Sequence, residues 1–220
     1  MRRPAIVLFA SLLLLAACGG GDDGAPPPSA VPSEAVVRWL EAVEQGDLAV
    51  ATATTVDESL AMVLALENGL ETGQIADLVT NGIPDEMAGS FWTSFSDGFV
   101  QFAGRPLSTL HVGDFTEFAS EGSTYAAVTV GASDADAVVY TKLESDGGWA
   151  VDLLATLGSG FLEVMERTYD GLPETEDGRL VREAYRDVVA PSLWATLAAG
   201  NGDDDFTRRA LGLLERIDAG

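Results

Sequence analysis

From Ser33 onward, apolar residues recur at intervals of three and four. Val36, Val37, Leu40 and Val43 mark one face of a helix that Ser33 is placed to cap and Gly46-Asp47 interrupts. A second segment, residues 57–68, is apolar nearly all round (Leu60, Met62, Val63, Leu64, Leu66), the pattern of a buried helix. A weaker helix over residues 71–80 ends at Asn81-Gly82-Ile83-Pro84. Residues 84–103 give the clearest periodicity: Met87, Phe91, Phe95, Phe99 and Phe102 fall within about 120° of arc at roughly 100° per residue, and Gly104-Arg105-Pro106 stops the helix.

The period then shortens towards two. Residues 107–118, 124–132, 137–144 and 149–154 are rich in Val, Thr, Tyr, Phe and Trp. The turns between them, Ser120-Glu121-Gly122-Ser123, Ser133-Asp134-Ala135-Asp136 and Ser145-Asp146-Gly147-Gly148, are so short that they join only antiparallel neighbours. Helical periodicity returns at Phe161 to Tyr169, with Ser159 of Gly158-Ser159-Gly160 placed to cap it. It continues from Gly178 to about Ala199, with Pro191 as a kink or break, and ends in a short helix over residues 205–217. The pattern predicts an α+β fold, with N-terminal helices packed on a four-stranded antiparallel meander and C-terminal helices after it. The division it suggests is an α+β domain over residues 33–157 and a helical extension over 158–220 packed on it.

Ahead of this lies a different chemistry. Arg2 and Arg3 precede an apolar stretch, Ala5 to Ala17, that ends in Leu15-Ala16-Ala17-Cys18. About thirteen apolar or small residues fall short of the roughly 20 needed to span a bilayer, which marks residues 1–17 as an export signal. An aliphatic residue, two small residues and a Cys resemble the lipobox of bacterial lipoproteins. That resemblance implies cleavage before Cys18 and a diacylglyceryl group on its thiol, which makes the membrane a partner through this residue. A plain secretory signal cut after Ala17 is the alternative. Pro4-Ala5 after the arginine pair departs from the twin-arginine pattern. Residues 18–32 are Gly, Pro, Asp and small side chains after the Cys, a tether with a flexible Gly half and a stiffer Pro half of ~3.1 Å per residue.

Composition narrows the function. The 220 residues carry 12 cations against 35 acids, a charge of −23, with one Cys, one His and one Lys. Loss of residues 1–17 removes two Arg and no acid, leaving 10 against 35, or −25. Nucleic acid is excluded as a partner and an anionic bilayer repels the domain. A disulfide framework and a Cys/His zinc site are also excluded. Eleven Arg against a single Lys suggests a GC-rich genome.

Trp39-Leu40-Glu41-Ala42-Val43-Glu44-Gln45-Gly46-Asp47 and Leu143-Glu144-Ser145-Asp146-Gly147-Gly148-Trp149-Ala150-Val151-Asp152-Leu153-Leu154 are similar to the first helix and the last hairpin of the NTF2-like (SnoaL-like) superfamily. The likeness covers residues 33–157. It implies a cone-shaped domain with a helical hairpin in the concavity of a bent sheet. In that family, deep His, Asp and Tyr pairs do acid–base work. By analogy, Tyr125, Tyr140 or Asp152 stand to meet His111 inside the cavity.

His111 is the single candidate base, and its ordinary reading is a strand histidine. Asp114, three residues on, points to the opposite face of a strand unless a bulge falls at Gly113. Gly158-Ser159-Gly160 lacks the spacing of a nucleophile elbow, and no phosphate-cradling glycine loop ends in Lys. Asn201-Gly202-Asp203-Asp204-Asp205 begins like a calcium loop, but Phe206 and Gly212 stand where Gly and Glu are required, so these acids read as a helix cap. The phenylalanine stripe reads as core, with a cavity lining as the alternative. No catalytic, cofactor or metal site follows from the residues. The expectation is a lipid-anchored, extracytoplasmic, non-catalytic binding or interaction module. The alternatives are a small-molecule or acid–base enzyme using the cone cavity and a structural component of an envelope assembly.

Overall fold

A computed structural model describes residues 28–132, 135–200 and 202–220. The export signal, Cys18 and the tether up to residue 27 lie outside the described residues, as do Ser133, Asp134, Asn201 and the side chains of Phe102, Ala132 and Ala135.

The fold is α+β. Five helices come first: α1 (Pro32–Gln45), α2 (Leu48–Ala53), α3 (Asp57–Glu67), α4 (Thr72–Asn81) and α5 (Asp85–Ala103). Ser33 does not cap α1; Pro32 takes the first helical turn, where its missing N–H costs nothing, and Val31 is the extended residue before it. α1 ends on Gly46 in the left-handed conformation (φ 69°), with Asp47 N–H donating back to Ala42 O. The chain then re-enters a helix at once. Asp47 caps α2, accepting from Val50 N–H at 3.2 Å. α3 is buried from Ser59 to Leu66 and forms the centre of the core.

After a 3₁₀ turn at Leu107–Thr109 come β1 (His111–Ser120), β2 (Ser123–Ala132), β3 (Ala135–Leu143) and β4 (Trp149–Val151). They form one antiparallel sheet in the order β1-β2-β3-β4. Glu121 and Gly122 both have positive φ (47° and 76°), the two-residue hairpin turn that matches strand twist. Ala126, Val128 and Val130 of β2 face Thr141, Val139 and Ala137 of β3, and α1 lies across this side. The opposite side carries Tyr125, Ala127, Tyr140 and Lys142 and is covered by later helices. The outer edge of β4 is closed by its own chain. Trp149 N–H donates to Ser29 O at 2.8 Å, Val151 N–H to Thr54 O at 2.9 Å, and Val56 N–H to Val151 O at 2.9 Å.

The C-terminal half contains α6 (Leu153–Asp170), α7 (Glu176–Ala184), a π turn (Tyr185–Val189), α8 (Ala190–Ala198) and α9 (Asp204–Ala219). The expected helix start at Phe161 is corrected. α6 begins eight residues earlier and runs through Gly158-Ser159-Gly160, so Ser159 caps nothing; Asp152 does, accepting from Ala155 N–H at 2.9 Å. β4 accordingly stops at Val151 rather than Leu154. Pro191 acts as a register change more than a break. It offers no N–H to the ladder, and one turn widens so that Ala190 N–H donates to Tyr185 O, five residues back.

The aromatic stripe is mostly core. Trp92, fully buried, lies 6.3 Å from Trp39 and 4.7 Å from Phe91 between ring centroids, and its indole N–H donates to Thr52 Oγ1 at 3.0 Å. Asp203 caps α9 through Phe206 N–H at 2.7 Å, the helix-cap reading of its acidic run.

Candidate functional site

The joint between β4 and α6 is one residue, Asp152, and several elements meet on its carboxylate. Oδ1 accepts from Ser59 Oγ of α3 at 2.8 Å and from Ala155 N–H at 2.9 Å. Oδ2 accepts from Ser192 Oγ of α8 at 2.8 Å. Ser59 in turn accepts from Leu154 N–H at 2.8 Å, so a second orphan amide of α6 is satisfied through a side chain. Tyr125 of β2 lies against the same cluster, close enough to Asp152 and Ser192 to feel both. Burial, and then the charge of Asp152, push the Tyr125 phenol well above its ordinary range, so it stays protonated. Asp152, Ser59 and Ser192 are each at most 1% exposed. A carboxylate this deep is tolerated because neutral donors meet both of its oxygens.

Above this network opens a pocket of about 350 Å³, within the size range of small-molecule sites. Tyr125, Asp152 and Ser192 make its floor. Val79 and Thr80 of α4 form one wall, and Leu180 and Ala184 of α7 with Val188 of the π turn form the other. Glu58, Glu183, Asp187 and Lys142 stand around it. Lys142 is the chain's only lysine, lies beside Tyr125 across the β2–β3 ladder, and sits 3.8 Å from Glu144. The widened π turn carries Asp187 and Val188 to the pocket and sets the following turn so that Ser192 reaches Asp152.

His111 is elsewhere. It is exposed, opens β1 opposite Gly131, and is six residues along β2 from Tyr125, about 20 Å of strand. The register does shift between Val112 and Phe115, a bulge at Gly113, yet among the described residues His111 and Asp114 form no ion pair. Of the residues that the cone analogy names, the fold brings together Tyr125 and Asp152. Tyr140 is next to them through its backbone, accepting from Asp152 N–H at 2.9 Å, while its ring packs with Tyr125, Ala155 and Ala195. Ser59, Ser192 and Lys142 are site residues that sequence reasoning does not find. The available signal was an Asp ahead of an apolar run, the mark of a helix start, at Val151-Asp152-Leu153-Leu154.

A second groove of about 320 Å³ adjoins the first at Val56 and Glu58 and includes Pro28, Arg38, Asp57, Glu144 and Asp146. Burial raises the Glu144 carboxyl above its ordinary range, a shift that Lys142 opposes and that Glu58 and Asp146 add to. Asp57 is raised too, by burial and then by Glu58.

The chain matches no protein-family model, no curated protein and no solved structure. Among the described residues no helix is long and apolar enough to cross a membrane.

Proposed function

We propose that this is a lipid-anchored extracytoplasmic protein of the cell envelope that binds a small molecule in the Asp152 pocket without transforming it. The anchoring half of this reading rests on Leu15-Ala16-Ala17-Cys18 and the Gly/Pro tether after it. The binding half rests on one observation: a pocket whose polar floor is held from α3, β2, α6 and α8 at once, so that its acceptors stand in fixed positions before any ligand arrives. Asp152 already takes three hydrogen bonds from its own chain, which suits a fixed acceptor better than a base that must gain and lose a proton.

The test uses the full chain purified from its native host in mild detergent. Cys18→Ser should move it from the membrane to the soluble fraction. Native mass spectrometry should find a small molecule on the parent chain that is missing from Val188→Trp, which fills the pocket. A Cys18→Ser chain that stays with the membrane overturns the anchor. Equal occupancy in Val188→Trp overturns the pocket.

A further inference from the structure

We propose that the ligand class of the Asp152 pocket is a small aliphatic amine, bound as its ammonium ion. The inference rests on the pocket being a binding site and goes further by assigning the ligand's charge and shape. The first argument is a charge imbalance inside a cavity. Of the acids that line the pocket, Glu183 has a cation, Arg179. At the pocket, Glu58 and Asp187 form no ion pair among the described residues. The one cation there, Lys142, leans on Glu144 at 3.8 Å. With Asp152 as the floor, the pocket carries surplus negative charge in a recess where solvent screens it less than on an open face.

The second argument is donor and acceptor chemistry. An ammonium group brings three donors and no acceptor. The pocket presents carboxylate oxygens at its mouth and the hydroxyl oxygens of Tyr125 and Ser192 at its floor, where each retains acceptor capacity. The third argument is shape. Val79, Leu180 and Val188 offer an aliphatic surface for a short carbon chain. Tyr125 is the only aromatic residue lining the pocket, so no cage for a quaternary ammonium is formed, and a primary amine fits better.

The experiment is calorimetric titration of the full chain in detergent with three probes of one length: cadaverine, glutarate and pentanediol. Cadaverine should bind, more weakly as salt is added, and the other two should not. Asp187→Asn and Glu58→Gln should each weaken cadaverine about fivefold, with the circular dichroism spectrum unchanged. Equal binding of glutarate or pentanediol overturns the amine assignment and leaves the pocket standing. Failure of all three probes overturns it as well. If a co-purified molecule is then still lost in Val188→Trp, the binding reading survives alone; if none is found, both fall.

Discussion

Ser192 donates to Asp152 Oδ2 at 2.8 Å across 40 residues of chain, and this bond ties α8 to the start of α6 beneath the pocket. Asp152→Ala leaves the Ser59 hydroxyl and the Ala155 N–H buried without their acceptor, while Ser192 falls back on Val188 O at 3.0 Å. It should cost about 3 kcal/mol of unfolding free energy. Asp152→Asn keeps one acceptor oxygen and should cost about 1 kcal/mol. Urea unfolding of the two variants checks this, and equal midpoints would contradict the assigned roles.

Tyr125 and Tyr185 should resist alkali. Burial is the main cause that raises the phenols of Tyr125 and Tyr185 above their ordinary value of 10.0. A phenol whose folded pKa lies above its unfolded one contributes stability that is complete below about pH 10 and drains away as pH climbs towards the folded value. Ultraviolet titration of the folded chain should therefore leave the Tyr125 and Tyr185 phenols protonated at pH 11, and unfolding should release them together. Tyr125→Phe should lower the number released on unfolding by one.

Glu144 behaves in the opposite chemical range with the same sign. Its raised carboxyl means that the folded chain bears a cost while Glu144 is ionised, and that cost vanishes as the group takes up a proton. Glu144→Gln should raise the thermal midpoint at pH 7. The gain should shrink as pH falls through the carboxylate range. A gain that is constant with pH would mean that burial is not the cause.

Gly148 has no room for a side chain. A Cβ there would lie 2.2 Å from Pro28 Cβ, a proline fixed by its ring and by the neighbouring bond from Trp149 N–H to Ser29 O. Gly148→Ala should detach residues 28–31 from β4 with the rest of the fold intact. The readout is faster amide exchange at Trp149 and proteolytic cleavage nearer to α1. Unchanged exchange at Trp149 would refute it.

Much of this fold was legible because its signals are local. The apolar run of α3, the stripe of α5 and the alternation of the strands each fix an element before any packing is known. α2 escaped because six residues, Leu48–Ala53, are too few for a periodicity to show. The start of α6 escaped for a different reason: Trp149 to Leu154 is apolar but for Asp152, and only hydrogen bonds from distant Ser59 and Ser192 make Asp152 a joint rather than a strand residue. The site suffered likewise. Ser59, Asp152 and Ser192 are separated by 93 and 40 residues, and no spacing rule joins positions that meet only after the sheet is covered.

The closed edge of β4 changes where the domain is held. Ser29, within the segment that composition assigns to a free tether, is 4% exposed and bonded into the sheet. Under the proposed anchor, the leash is therefore the nine residues between Cys18 and Pro28, at most about 35 Å when fully drawn. Any pull from the lipid arrives as shear along β4 rather than at the tip of α1. The domain then hangs from one flank, and the acidic groove that Pro28 lines together with Glu144 and Asp146 lies at the mooring.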